Sequence, residues 1–439
     1  KNFSKLKEIF IFLVNETNSE LKKFKDTKKD ITILTIFLTF IILIFFSSIG
    51  PINHPDATDY HVGYPFQYFL RGKFFVDGGL HQGLLGIGDY ANLPFIQERN
   101  IWLIRPLQII SLPLICLLIS KNIKNKILIY LILSCPVLIQ WSTISKPLFL
   151  HESCLAALFL IWENEKNDLN TRFLFIASIL CIGIKISSLI VVFPILIYLF
   201  YYLIKNKKFK IFIIKIFKDK LFLVILFSFV LLTYSRFIIT GNFFYPLLTN
   251  IFNNDNQQIK DFASFLKSYG RSNLFPLNIF LPVNLNTITL SLGIPISIFT
   301  LISLVKIKKN PIQNIAFIQL FLLIFFCQGR ADYYFVPVFL LISQSNSIVE
   351  LLNTKVISNM LRFSIILQSI LLIIFNFISI SQNIKSFHNY QSNLRKISYG
   401  YNESQYIYKE EDYFTLITGR NTRFYYKGNY IDKDLFENC

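Results

Sequence analysis

Apolar runs long enough to cross a membrane alternate along this chain with short stretches rich in lysine. A helix needs roughly 20 apolar residues to span the hydrocarbon core. Runs of about that size stand at 31–49, 187–204, 221–239, 288–305, 311–328 and 361–381, with shorter or less even ones at 101–120, 127–141, 148–162, 172–185 and 333–350. Lysines collect at Lys121, Lys124 and Lys126, in the run 205–220, at Lys306, Lys308 and Lys309, and at Lys355 with Arg362. Cytoplasmic loops carry the excess of Lys and Arg, so if these clusters share a side with the N-terminus, an even number of crossings separates each neighbouring pair. Two, four, two and two crossings meet that condition, and a last span at 361–381 brings the bundle to about eleven helices.

This pattern divides the chain into a cytoplasmic segment at 1–30, a transmembrane domain at 31–381 and an outer-face tail at 382–439. The first segment mixes lysines with acids and reads as a cytoplasmic piece, not as a cleaved signal peptide. Two large polar loops fall on the outer side, at 50–100 and 241–286. Eight of the sixteen glycines lie in the first, which predicts bends and a movable loop around short helices, with 64–75 as a helix lying in the interface. In the tail, 413–418 reads as a strand and Lys427-Gly428-Asn429 as a hairpin-like turn. No internal repeat of fixed period is present.

Composition narrows the class. With 53% hydrophobic residues, 16% charged residues and a mean hydropathy of +0.49, the chain lies outside the range of soluble globular proteins. The formal charge of +18 would point to nucleic acid in a soluble protein. Here the lysines sit between apolar spans, which assigns the charge to membrane topology and leaves no nucleic-acid partner. Cys116, Cys135, Cys154, Cys181 and Cys327 fall in or beside apolar spans, and Cys439 ends the chain, so neither a disulfide framework nor a CxxC metal site follows.

The densest chemistry is His54-Pro55-Asp56-Ala57-Thr58-Asp59-Tyr60-His61, just beyond the first span. A carboxylate at a membrane exit can act as general base toward a hydroxyl or as a metal ligand; the alternative is a solvated loop opened by the turn formers Asn53, Pro55 and Asp56. All five histidines, His54, His61, His81, His151 and His388, fall on the outer side, and the first four are placed to converge with Asp89 and Glu152, or to be ordinary loop residues. A second group is basic: Arg105, Lys146, Lys185, Arg236 and Arg330 flank apolar spans. Charge at that depth needs a partner or snorkels to the headgroups. An anionic phosphate is one such partner, which Arg can grip with two hydrogen bonds.

These pieces resemble a family. The order of apolar helix, Asp56-Ala57-x-x-Tyr60-His61 and long outer loop is similar to the bacterial membrane glycosyltransferases of the GT-C superfamily. Thr240-Gly241-Asn242-Phe243-Phe244-Tyr245-Pro246 is similar to a later Thr-Gly-Asn-Pro-x-Tyr-Pro element of such proteins, with Phe243 where Pro is usual. Ser145-Lys146-Pro147, and Gln328-Gly329-Arg330 followed by Tyr333, Tyr334 and Pro337, also look like family pieces; together they cover roughly residues 31–345.

The resemblance implies an all-α polytopic membrane protein, a GT-C-like bundle with helical outer loops, in the inner membrane of a bacterium with its N-terminus cytoplasmic and its C-terminus periplasmic. It implies transfer of a sugar, with inversion, from a polyprenyl-phosphate donor to a hydroxyl of a lipid, glycan or protein acceptor. Asp56 is then the acidic residue of the first outer loop, with Asp59 in reserve and His61 beside them as a further catalytic candidate. Arg330, Lys146 and Lys185, with Tyr60 and Tyr245 from the motifs, are the candidate substrate-binding residues. The leaving phosphate requires cationic or metal stabilisation; no metal ligand set is assigned, and a divalent metal stays the one open cofactor. Two other classes compete: a transporter or flippase of lipid-linked sugars, and a polysaccharide polymerase. The first usually shows repeated halves or broken helices, and the second carries its large polar loop late in the chain.

Overall fold

The computed structural model describes residues 39–95 and 149–305 with short gaps, scattered positions from 104 to 146, residues 310–343 and 355–388, and the segments 414–417 and 430–433. The segment 1–30 and most of the spans expected at 101–120 and 127–141 lie outside the described residues.

Each of the other expected spans contains a helix. The first is helical over 42–48, and the loop after it holds α1, Gly63–Arg71. Then come α2 (Phe149–Glu165), α3 (Asp168–Ile184), α4 (Leu189–Lys205), a short α5 (Phe209–Phe217) and α6 (Lys220–Thr240). The second outer loop carries α7 (Gln257–Ser268), and the chain returns through α8 (Ile294–Val305), α9 (Pro311–Phe326), α10 (Ala331–Ser343) and α11 (Lys355–His388). Among the described residues, Ile186–Lys205, Lys220–Thr240 and Asn359–Lys385 are long and apolar enough to cross a membrane alone.

Local chemistry marks where these helices begin and end. Asn167 Oδ1 accepts the Asn170 N–H at 2.7 Å to open α3, and Asp219 Oδ1 accepts the Leu221 N–H at 2.9 Å to open α6. Asn310 caps α9 just ahead of Pro311, whose missing N–H costs nothing at that position. Gly241, at φ 71°, lets the chain turn left-handed off the end of α6.

Burial separates the centre of the bundle from its rim. In α10 every residue from Ala331 to Ile342 is buried, against α9, α8 and α2. By contrast α6 buries Phe222, Ile225, Leu232, Arg236 and Thr240 and exposes Val224, Phe227, Val230, Leu231 and Ile238. An exposed apolar stripe of that length is a liability in water and the normal outer face of a helix in lipid.

The first outer loop packs onto the bundle instead of hanging from it. Most of α1 is buried, from Gly63 to Tyr68, and only its end presents Phe69 and Leu70 outward, so the interfacial helix expected at 64–75 is mostly a loop core. A side chain at Gly86 would run into the main-chain carbonyl of Ile184 at the end of α3, and Gly83 lies under Thr240 and Tyr245. In the tail, β1 (Phe414–Ile417) lies within the strand expected at 413–418 and pairs in parallel with β2 (Tyr430–Lys433), while the turn expected at Lys427-Gly428-Asn429 lies outside the described residues.

Gly86→Ala is expected to push the loop off α3 and lower the melting temperature of the detergent-solubilised protein by several degrees, since overpacking typically costs about 1–3 kcal/mol. Gly72→Ala meets nothing within 4 Å and carries only the left-handed strain of its φ of 61°. It should shift melting by less, at about 1 kcal/mol.

Candidate active site

Four connections between helices bring charge to one end of the bundle. Beyond the first span the chain turns at His54 and winds into a π-helical turn, Ala57–His61, that continues into α1. His54 Nδ1 accepts the Asp56 N–H at 3.2 Å, and the Lys146 ammonium, arriving just before α2, forms an ion pair with Asp56 Oδ2. At the end of α3, Lys185 Nζ donates to the Tyr333 hydroxyl at 2.9 Å and lies 4.9 Å from that ring's centre. Arg330, in the connection before α10, pairs through Nε with Asp332 Oδ1 at 3.2 Å and faces the Tyr269 ring.

These pairs form one electrostatic cluster. Lys146 feels Asp56, Arg330 and Asp332, and Lys185 feels Asp332, Lys146, Arg330 and Glu152. Burial lowers the Lys146 ammonium to about 8 against the opposing pull of Asp56. Burial, reinforced by Lys146, drives His54 down to about 3, so it stands neutral and free to accept the Asp56 amide. Arg330 behaves differently: burial works against its charge, but Asp332, Tyr333 and Asp56 outweigh it and push its pKa up. Of the two candidate carboxylates, the Asp56 side chain is 13% exposed and that of Asp59 only 2%.

Asp59 and the remaining histidines belong to the wall behind this cluster. Asp59 Oδ2 lies 3.5 Å from His81 Nδ1, and His81 packs edge-on against Phe262. Tyr60 packs at a tilt against His61 and stacks on His81, with ring centres 4.0 and 5.5 Å away. His61 Nδ1 is 2.6 Å from Asp89 Oδ1, and Asp89 Oδ2 accepts the Gly86 N–H at 2.7 Å. Burial lowers the His61 pKa despite Asp89, so the neutral ring donates through Nδ1 to the carboxylate. His151 sits 3.1 Å from the Ser188 hydroxyl, which donates to Glu152 at 2.5 Å.

The expected convergence is therefore partial. Asp56, Lys146, Lys185 and Arg330 come together with Tyr60 beside them, whereas the first four histidines are shared out among separate partners. Among the described residues no group of three or more His, Cys, Asp or Glu side chains is placed to hold a metal ion. Asp56 instead takes a lysine. Arg236 leaves the phosphate candidates: its Nη2 donates to the Leu85 carbonyl at 2.9 Å, and it sits in reach of Asp89, tying the first loop to α6. Tyr245 packs, fully buried, with Leu80, Ile259 and Phe262 under that loop. The motif before it is a turn in which Asn242 Oδ1 accepts the Phe244 N–H at 2.8 Å and Asn242 Nδ2 donates to the Leu247 carbonyl at 2.8 Å.

Two partners escaped the sequence reading. Asp332, two residues beyond Arg330, was readable as a neighbouring opposite charge. Arg271 donates to the carbonyls of Ile324 and Cys327 at the end of α9 and had no such signal.

No family model and no curated protein matches the sequence. Among solved structures the chain is similar to ArnT from Cupriavidus metallidurans bound to undecaprenyl phosphate, at 11% identity and a TM-score of 0.52, over 91% of this chain and 85% of that one. At that identity the likeness speaks for the fold. Among its described residues the chain is almost wholly helical, with three helices long and apolar enough to cross a membrane, and it is a polytopic membrane protein that shares the fold of that solved structure.

Proposed function

We propose that the protein is a membrane glycosyltransferase that moves a sugar from a polyprenyl-phosphate donor to an acceptor hydroxyl on the outer face of the inner membrane. The observation that carries this is the gathering of Asp56, Lys146, Lys185 and Arg330 at one end of a bundle whose fold is shared with a protein bound to undecaprenyl phosphate. Three cations, Lys146 buried and Lys185 and Arg330 partly so, suit a phosphate ester, because attraction between charges grows as the dielectric falls.

In this reading the acceptor O–H gives its proton to the Asp56 carboxylate as its oxygen attacks the anomeric carbon from the face opposite the phosphate. The new C–O bond forms as the bond to phosphate breaks, with inversion, and the leaving polyprenyl phosphate takes the electron pair. Arg330 stabilises that charge first, with Lys146 and Lys185 next to it; donors already aimed at developing charge need no rearrangement in the transition state. The Lys146–Asp56 pair fits the sequence of events. Arrival of the donor phosphate draws the ammonium away and leaves an ionised, partly exposed carboxylate to act as base. Asp59, held against His81 and nearly sealed, is the reserve.

Asp56→Asn should cut transfer from a labelled polyprenyl-phosphate sugar by about 10²–10⁴-fold, the usual contribution of a general base, at unchanged expression in membranes. Near-normal turnover would move the role to Asp59 or abolish it. Because Lys146 titrates at about 8, it is charged below that pH and neutral above. Binding of polyprenyl phosphate should weaken as pH rises from 7 to 9, and Lys146→Arg should lessen that fall. A flat wild-type profile would take Lys146 out of phosphate binding.

A further inference from the structure

The opposite end of the bundle holds a second charged site. α3 runs from Asp168 to Ile184, so its start lies about 25 Å from the cluster around Lys185. There α5 packs against both α4 and α6, burying Phe212 and Ile216 while Phe209, Ile211, Ile214 and Phe217 stay exposed. Between α5, the start of α3 and the end of α4 is a cavity of about 170 Å³. Arg172, Lys208 and Lys215 line it against one carboxylate, Asp168, and Leu203 and Phe212 form its apolar wall.

The charges in this cavity are held loosely. Lys215 lies 2.9 Å and Lys208 3.5 Å from Asp168, with all three side chains about half exposed, and Arg172 reaches Asp219 at 3.6 Å. Such open pairs contribute little, so a stronger anion can take over the lysines at small cost. The depth of the cavity is marked by aromatic residues. Trp162 Nε1 donates to the hydroxyl of Thr171, a lining residue, at 2.9 Å, and the Lys166 ammonium stands within 6 Å of the Trp162, Tyr198 and Tyr202 rings. Trp and Tyr with a nearby lysine are the usual furniture of the membrane–water boundary.

We propose that this cavity binds the phosphate headgroup of an anionic phospholipid of the inner leaflet, with Lys208, Lys215 and Arg172 on the phosphate. The exposed apolar side chains of α5 decide for a lipid over a free anion. They surround the cations with a surface that acyl chains cover and water does not, and basic pockets between helices on the cytoplasmic side are known takers of anionic headgroups. The site stands apart from the proposed transfer chemistry and does not depend on it.

Native mass spectrometry of the purified full-length protein in detergent tests this, with phosphatidylglycerol, phosphatidylcholine and inorganic phosphate as probes. Wild type should retain phosphatidylglycerol in clear preference to phosphatidylcholine, and millimolar inorganic phosphate should not displace it. Lys208→Gln with Lys215→Gln should weaken phosphatidylglycerol binding about 30-fold, roughly fivefold for each lysine. Lys208→Arg with Lys215→Arg should keep it. The control pair Lys210→Gln with Lys218→Gln removes the same charge outside the cavity and should change binding less than about fivefold, short of one lysine's share. Equal retention of the two lipids, displacement by phosphate, or equal loss in both Gln pairs would overturn the proposal. If the first Gln pair does not fold, the wild-type comparison of the three probes decides alone.

Discussion

A charged group removed from water must find an opposite charge or a set of hydrogen bonds, and that requirement organises one whole end of this protein. Lys146, Arg236, Asp89 and Asp332 are all buried, and each faces at least one group on another helix or loop. Each connection at this end is therefore bound to another: the first loop to the residue before α2, the end of α3 to α10, α6 back to the first loop. Pairing of this kind adds little net stability over an apolar core, since desolvation consumes most of the attraction. What it provides is position, because one lost partner strands a charge.

Small residues make the arrangement possible. The first outer loop approaches α3 so closely at Gly86 that a single methyl group would meet the Ile184 carbonyl, and that approach lets Asp89 reach both the Gly86 amide and His61. Close to it, Asn383 on α11 donates to the Ser47 carbonyl at 2.8 Å, and Gly50 lies against Asn383 and Arg105. The last long helix thus meets the exit of the first. In hydrocarbon, helices gain no burial energy by leaving lipid for one another, so such hydrogen bonds and close contacts carry much of the specificity.

The two ends of the bundle differ in how their charges are held, and the difference follows from depth. At the end that holds the cluster Lys146 is sealed while Lys185 and Arg330 are partly buried, and burial has already moved Lys146 toward neutrality. At the inner end Lys208 and Lys215 remain half exposed, in contact with water and with whatever the leaflet presents. A sealed cation is poised for one ligand in one geometry; an open one exchanges partners freely. α5 joins the inner end to the membrane through its exposed phenylalanines and isoleucines, a role that the lysine run alone concealed, because seven lysines between 205 and 220 read first as a topology signal.

Much of the architecture was legible from periodicity and charge, because a membrane constrains a chain strongly: spans must be apolar and long, and lysines gather on one side. Asp56, Lys146, Lys185 and Arg330, separated by even numbers of the expected spans, meet at one end. Which polar groups would touch was not legible. Arg105, Arg236 and Arg330 look alike beside apolar spans, yet Arg236 holds a loop carbonyl while Arg330 joins the cluster, and only the packing of helices far apart in sequence distinguishes them. Likewise Tyr245 sits in a motif but packs under a loop, and four histidines of one polar face go to separate partners. The sequence alone determined where the apolar spans lie and the polar stretch at the exit of the first, because hydrophobicity and charge act along the chain. Only the tertiary structure decided which carboxylate stays accessible and which cation faces it, because pairing depends on distances across the bundle that no local pattern encodes.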